Sequence, residues 1–211
     1  MLSNDCLRMM KREEEIDLKK WYNVDEVIVM QMLDKKMLLE IFDYLNEALR
    51  DNLLHLDITI YGGSIMTLLF DDRPATRDID SIMSVDNVEL LNQIIEQVQN
   101  VYQLNSDWIN DEIKEPLKSL LSEDLTSYGN YSNLNILHPI PEQLLAMKIL
   151  AARPEPSKDF IDAFMLCKSL DVQTKEKLFE IVCKYVPRKL LKERQMVFIK
   201  YLGSDLGYDW S

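Results

Sequence analysis

The residues of this chain best suited to chemistry are two aspartates separated by one residue, Asp78 and Asp80, and the glycine pair Gly62-Gly63 upstream of them. In a β-strand successive side chains point to opposite sides, so both carboxylates project from one face while Ile79 turns into the core. The glycines follow the alternating run Leu56, Ile58, Ile60, which reads as a half-buried strand. A glycine pair at the end of such a strand lets the backbone approach phosphate with no Cβ in the way. Ser64 is then expected to cap a helix reaching about Phe70, its hydroxyl and the first amides facing an incoming anion. Parallel carboxylates beside a phosphate-receiving turn form a site for Mg²⁺, or Mn²⁺, and a nucleoside triphosphate. A competing reading pairs Asp78 with Arg77 or Arg73 on a solvated edge.

Taken in order, Gly62-Gly63-Ser64 and Thr76-Arg77-Asp78-Ile79-Asp80 resemble the signature of the polymerase-β-like minimal nucleotidyltransferases. The branch they look most like contains the abortive-infection AbiEii/MenT-type toxins and their uncharacterised relatives. Trp108-Ile109-Asn110-Asp111 resembles a Trp-Leu-Asn-Asp segment of that branch, and Pro141 to Ala151 resembles its Leu-Leu-Ala-x-Lys helix. Lys158-Asp159-Phe160-Ile161-Asp162 resembles its basic-Asp-x-x-Asp helix. The likeness spans about Leu56 to Leu170.

The resemblance implies transfer of a nucleoside monophosphate from a triphosphate to a hydroxyl acceptor, on RNA such as a tRNA end or on a protein. A cognate partner protein in a toxin-antitoxin or phage-defence system is part of the same expectation. Asp78 and Asp80 would hold the metal, with Gly62, Gly63 and Ser64 around the nucleotide; Arg77 is a weaker candidate for phosphate contact. Lys148 matches the family lysine proposed to meet the phosphates, although a snorkelling lysine at a helix boundary is the alternative. Lys158 and Asp159, with Asp162 nearly one turn later, would turn a carboxylate toward the metal or a base toward the acceptor, or else form a capping and salt-bridge cluster. One departure stands out. Many members of the superfamily carry a third carboxylate on a later strand, and here that strand reads Leu134-Asn135-Ile136-Leu137, with no Asp or Glu between Asp124 and Glu142. Either Asp159 substitutes, or the fold is catalytically silent and serves as a nucleotide sensor or partner-binding module.

Bulk properties narrow the setting. The chain of 211 residues is 47% hydrophobic, enough for one sizeable core. It lacks the roughly 18 consecutive apolar residues that span a bilayer and shows no signal-peptide pattern, so no membrane association and a cytoplasmic location are expected. Cys6, Cys167 and Cys183 are odd in number and have no metal-ligand spacing, which favours reduced thiols. His55 and His138 read as structural. The net charge of −12 opposes broad binding of polyanions, yet it is uneven: Met1–Asn135 holds 12 basic and 26 acidic residues, and Ile136–Lys200 holds 12 basic and 8 acidic. A nucleic-acid acceptor would lie against the second part, unless those lysines only solvate helices.

The elements that must position these residues follow from periodicity. Met37, Leu38, Ile41, Phe42, Leu45 and Leu49 form the stripe of a helix ending near Asn52, and Val27–Val29 suits a short strand before it. Strands are expected at Leu56–Tyr61 and Asp78–Ser84, then a helix capped by Asn87 with Val88, Leu91, Ile94, Ile95 and Val98 inward. A short helix is expected within Trp108–Leu121, and one or two strands around Tyr128-Gly129-Asn130. From Pro141 the pattern is helical, with Pro141 in a first turn, Ser157 as a cap, and further helices over about Thr174–Tyr185 and Arg188–Leu202. The expectation is an α+β fold: a small mixed β-sheet core with flanking helices over residues 1–140, and a C-terminal helical lobe over 141–211 packed on it.

Overall fold

The computed structural model describes residues 31–110, 124–152 and 157–208 and has an α+β architecture. The first helix, α1 (Lys35–Asp51), starts where the Asp34 carboxylate accepts from the Met37 amide, and its stripe of Leu38, Ile41, Phe42, Leu45 and Leu49 is buried. Strand β1 (Leu56–Ile60) follows, then α2 (Gly62–Leu69), β2 (Ile79–Val85) and α3 (Val88–Tyr102). Asn87 caps α3 through its side chain, which accepts from the Leu90 amide. The expected short strand at Val27–Val29 lies outside the described residues, as does everything in Trp108–Leu121 beyond Asn110. Where that segment is described it forms a strand, β3 (Ile109–Asn110).

Strands β4 (Leu125–Tyr128) and β5 (Leu134–Pro139) complete a sheet of order β3-β2-β1-β5-β4. β1 runs antiparallel to β2 and parallel to β5, and β3 is parallel to β2. Gly129, at φ +74°, provides the left-handed residue that the turn after β4 requires. The register puts two sets of residues on opposite faces. Leu56, Ile58, Ile60, Ile79, Leu134 and Ile136 are fully buried on one face. The other carries Asp57, Thr59, Asp80, Ile82, Ser84, Asn135 and Leu137, none of them fully buried.

The remaining helices are α4 (Pro141–Ala151), α5 (Lys158–Ser169), α6 (Lys175–Tyr185) and α7 (Glu193–Asp205), the last preceded by a 3₁₀ turn at Arg188–Leu190. Pro141 occupies the first turn of α4, where its missing N–H costs nothing. Ser157 and Thr174 sit at the N-caps of α5 and α6; the Thr174 hydroxyl accepts from the Lys177 amide, while Ser157 makes no capping bond. α4 is the centre of this group, packed against α5, α6 and α7 and buried on nearly every side. A single hydrophobic core joins these helices to the sheet and α1–α3, running from Leu33 to Leu202. His138 is buried, its ring against Tyr128 and its Nδ1 2.9 Å from the Pro139 carbonyl oxygen, as a structural histidine would be. Cys167 is buried and Cys183 exposed, both as free thiols.

Candidate functional site

Asp78 lies immediately before β2 and Asp80 within it, both half-buried, with Ile79 between them fully buried. The alternation expected from the sequence holds for Ile79 and Asp80; Asp78 precedes the strand. β2 is held at this end from both sides: the Tyr61 amide donates to the Asp80 carbonyl, and the Ile79 amide donates to the Trp108 carbonyl. Parallel pairing with β3 also sets Asn110 beside Asp80.

Gly62 and Gly63 form the first turn of α2, and the fold requires glycine at both. A Cβ on Gly62 would stand 2.2 Å from Asp80 Oδ2, and Gly62 has φ +65°, a conformation that L side chains rarely adopt. A Cβ on Gly63 would stand 2.5 Å from the Thr76 hydroxyl oxygen and 3.9 Å from a terminal Arg73 nitrogen. The turn thus leaves room for no side chain between itself and the Asp80 carboxylate. Its leading amides belong to the first turn of a helix and have no intrahelical acceptor, which is the geometry that receives anions.

Ser64 departs from expectation. The helix begins two residues earlier, with Tyr61 at the N-cap and no side-chain capping bond. The Ser64 hydroxyl is fully buried and donates to the Tyr61 carbonyl at 2.8 Å. It braces the turn, and only its amide remains positioned for an anion. The glycine at φ +65° permits the earlier start.

Asp78 has its carboxyl raised above its ordinary value, first because burial disfavours the charged form and then because Asp107 lies near; Arg77 and Lys158 oppose the shift. The influence of Lys158 brings the start of α5 to the Asp78 end of β2. Arg77 is exposed on a bend, and because β2 begins only at Ile79, strand alternation does not govern its direction.

Behind the turn lies a buried chain of charges. Asp162 is fully buried; one carboxylate oxygen, Oδ2, accepts from Lys148 Nζ at 2.6 Å, and the other, Oδ1, is 2.9 Å from Arg73 Nε in an ion-pair contact without hydrogen-bond alignment. Lys148 also lies 3.6 Å from Asp159 Oδ1. Lys148 and Arg73 are each about nine-tenths buried, so Lys148 does not snorkel to solvent. Arg73, which the sequence offered as a partner for Asp78, is instead the partner of Asp162. Sequence reasoning saw Asp162 only as a helical neighbour of Asp159, because nothing local announces a salt bridge from the α2–β2 loop to α5. Asp107 was missed entirely, and only the parallel docking of β3 brings it near Asp78.

Asn135 does not take the place of a third carboxylate. It pairs with Asp57 on β1 and donates to that side chain at 2.8 Å. Asp57 is four residues from Tyr61, the residue level with Asp80, so Asn135 lies about 13 Å along the strand from the Asp80 position at ~3.3 Å per residue. Extending the β1–β5 register puts Pro139 level with Asp80.

No protein-family model, curated protein or solved structure matches this chain. The functional reading therefore rests on the site itself. Among the described residues no cluster of three or more His, Cys, Asp or Glu could hold a metal ion. Two carboxylates, however, suit Mg²⁺, which is commonly held by one or two carboxylates and completes its shell with water and substrate phosphate. The hard-oxygen character of Asp78 and Asp80, and the backbone cradle at Gly62 that a Cβ would fill, fit such an ion with a triphosphate beside it. No helix among the described residues is long and apolar enough to cross a membrane.

Proposed function

We propose that this protein is a Mg²⁺-dependent nucleotidyltransferase that moves a nucleoside monophosphate from a triphosphate to a hydroxyl acceptor on RNA or protein. The observation that supports this reading is the closeness of the Gly62 turn to Asp80, whose Oδ2 lies 2.2 Å from where a Cβ on Gly62 would stand, so that a helix start adjoins a carboxylate. Phosphoryl-transfer sites need little covalent chemistry from the protein; they align the attacking oxygen and stabilise spreading negative charge. Asp78 and Asp80 would hold the metal, which when bound supplies Lewis-acid neutralisation of the phosphate oxygens. The amides of Gly62, Gly63 and Ser64 would orient the phosphates, and Lys148 and Lys158 would supply fixed positive charge. Asp159, the less buried of the two α5 carboxylates, is the candidate base for the acceptor hydroxyl.

The absence of a third carboxylate on β5 supports the second reading, a silent fold that binds nucleotide and a partner protein. One experiment separates them: purified protein is incubated with each labelled nucleoside triphosphate, Mg²⁺ and total RNA, alongside Asp78→Ala/Asp80→Ala. Label that appears on RNA or protein and vanishes in the variant is the expected outcome. Metal-dependent nucleotide binding without transfer would replace the enzyme with the sensor, and failure to bind any triphosphate would remove both.

A further inference from the structure

The charges behind the glycine turn balance only because Arg73 is among them. Arg73 and Lys148 are both about nine-tenths buried and share one fully buried carboxylate, Asp162, each taking a different oxygen. Asp159, 3.6 Å from Lys148 and about one-fifth exposed, is the second carboxylate of the cluster, so Lys148 faces two carboxylates and only Arg73 brings the count to two cations against two anions. Taking charge out of water is costly unless it is paired, and without Arg73 the cluster would keep one negative charge in excess. A simple structural bridge would need only Lys148 and Asp162. The added cation is also the one beside the turn: a terminal Arg73 nitrogen lies 3.9 Å from where a Gly63 Cβ would stand.

We infer that Arg73 is a positioning residue for triphosphate binding, engaging Asp162 so that Lys148 is not outweighed by two carboxylates and the charge cluster behind the Gly62–Gly63 turn is not net negative. The inference rests on the nucleotidyltransferase reading and adds to it a residue and a charge count. Without Arg73, Lys148 would stand against both Asp162 and Asp159, and the turn would keep its amides but have a net negative charge behind them. The effect should scale with phosphate charge, strongest for a triphosphate and weakest for a monophosphate, since Coulomb attraction in a poorly solvated site grows with the charge attracted.

The test is calorimetric titration of the full chain with a non-hydrolysable nucleoside triphosphate analogue and with the nucleoside monophosphate, in Mg²⁺, for wild type, Arg73→Gln, Arg73→Lys and Arg73→Gln/Asp162→Asn. Circular dichroism reports whether each is folded. Arg73→Gln is expected to weaken the triphosphate by about tenfold and the monophosphate far less. Arg73→Lys keeps the charge and is expected to retain most of the affinity. The double variant removes one cation and one anion, restores the balance around Lys148, and is expected to recover triphosphate binding; a role confined to holding the fold predicts no such recovery.

Folded Arg73→Gln that binds the triphosphate as tightly as wild type would overturn the inference and leave the nucleotidyltransferase reading standing. If Arg73→Gln does not fold, the charge-conserving Arg73→Lys and double variants decide, and a tenfold loss in a folded double variant overturns the inference. Wild type that binds no triphosphate removes both the inference and the reading beneath it.

Discussion

Between the sheet and its covering helices the packing surfaces are made by Leu45, Leu49, Ile58, Ile60 and Ile136, essentially without exposed area, whereas the α2–β2 loop meets α4 and α5 through Arg73, Asp162 and Lys148. The two regions are comparably buried and governed by different physics. Apolar contact is non-directional, proportional to area, and tolerant of exchange among residues of similar volume. A buried ion cluster needs each charge at its place and contributes little net stability, because desolvation offsets most of the attraction. A cluster that adds little to the fold yet is kept beside a glycine turn and a carboxylate pair points to the site as its reason.

The sharpest way to break this comparison is to leave the charges unmatched. Asp162→Ala strands Arg73 and Lys148 without their shared carboxylate and is expected to cost about 3–5 kcal/mol in urea unfolding. Replacing the whole cluster, Arg73→Met/Lys148→Met/Asp162→Leu, is expected to leave stability near wild type while abolishing triphosphate binding. A severe loss of stability in that triple variant would make the cluster structural instead. On the apolar side, Leu45→Ala is expected to cost about 3 kcal/mol through the cavity it leaves. Nucleotide affinity of the folded protein should be unchanged, because α1 packs on the face of the sheet away from the carboxylates.

Gly62→Ala joins the two regions in one substitution. The positive φ and the 2.2 Å approach to Asp80 Oδ2 must both be relieved, at a cost of about 1–2 kcal/mol, with loss of Mg²⁺-dependent triphosphate binding. The smallest expected effect is at Asp78. Its folded-state carboxyl titrates above the ordinary value of 3.8, so the folded state holds a proton that the unfolded chain releases, and stability falls as pH rises through the folded-state value. Asp78→Asn should therefore be more stable than wild type at pH 7, by no more than about 1 kcal/mol for a half-exposed and screened group. The advantage should vanish below the unfolded value, where both states are protonated. Mg²⁺ should raise the melting temperature of wild type at pH 7 and leave that of Asp78→Asn nearly unchanged.

Much of this was legible in the chain. The stripe of α1, the Asn87 cap, the Pro141 start of α4 and the alternation of Ile79 and Asp80 are all local, and each was correct because a few neighbouring residues carry its whole cause. Elsewhere the local reading erred, as at Ser64, or was silent because a distant partner decided. Trp108–Asn110 leads into a strand because β2 offers an edge for parallel pairing. Ser64 does not cap because a left-handed Gly62 lets α2 start early. Asn135 belongs to Asp57 because register, which no single strand encodes, sets it far from Asp80.

By itself the sequence determined the α1 and α3 helices, the β1 and β2 strands and their inward faces, since 3.6- and two-residue periods are written in consecutive residues. Tertiary structure alone decided which charge meets which. Arg73, Lys148 and Asp162 lie on three separate segments, and only the packing of α4 and α5 behind the α2–β2 loop brings them within ion-pair distance. Coulomb interactions depend on separation in space and on the water excluded between the charges, and neither quantity is set by position along the chain.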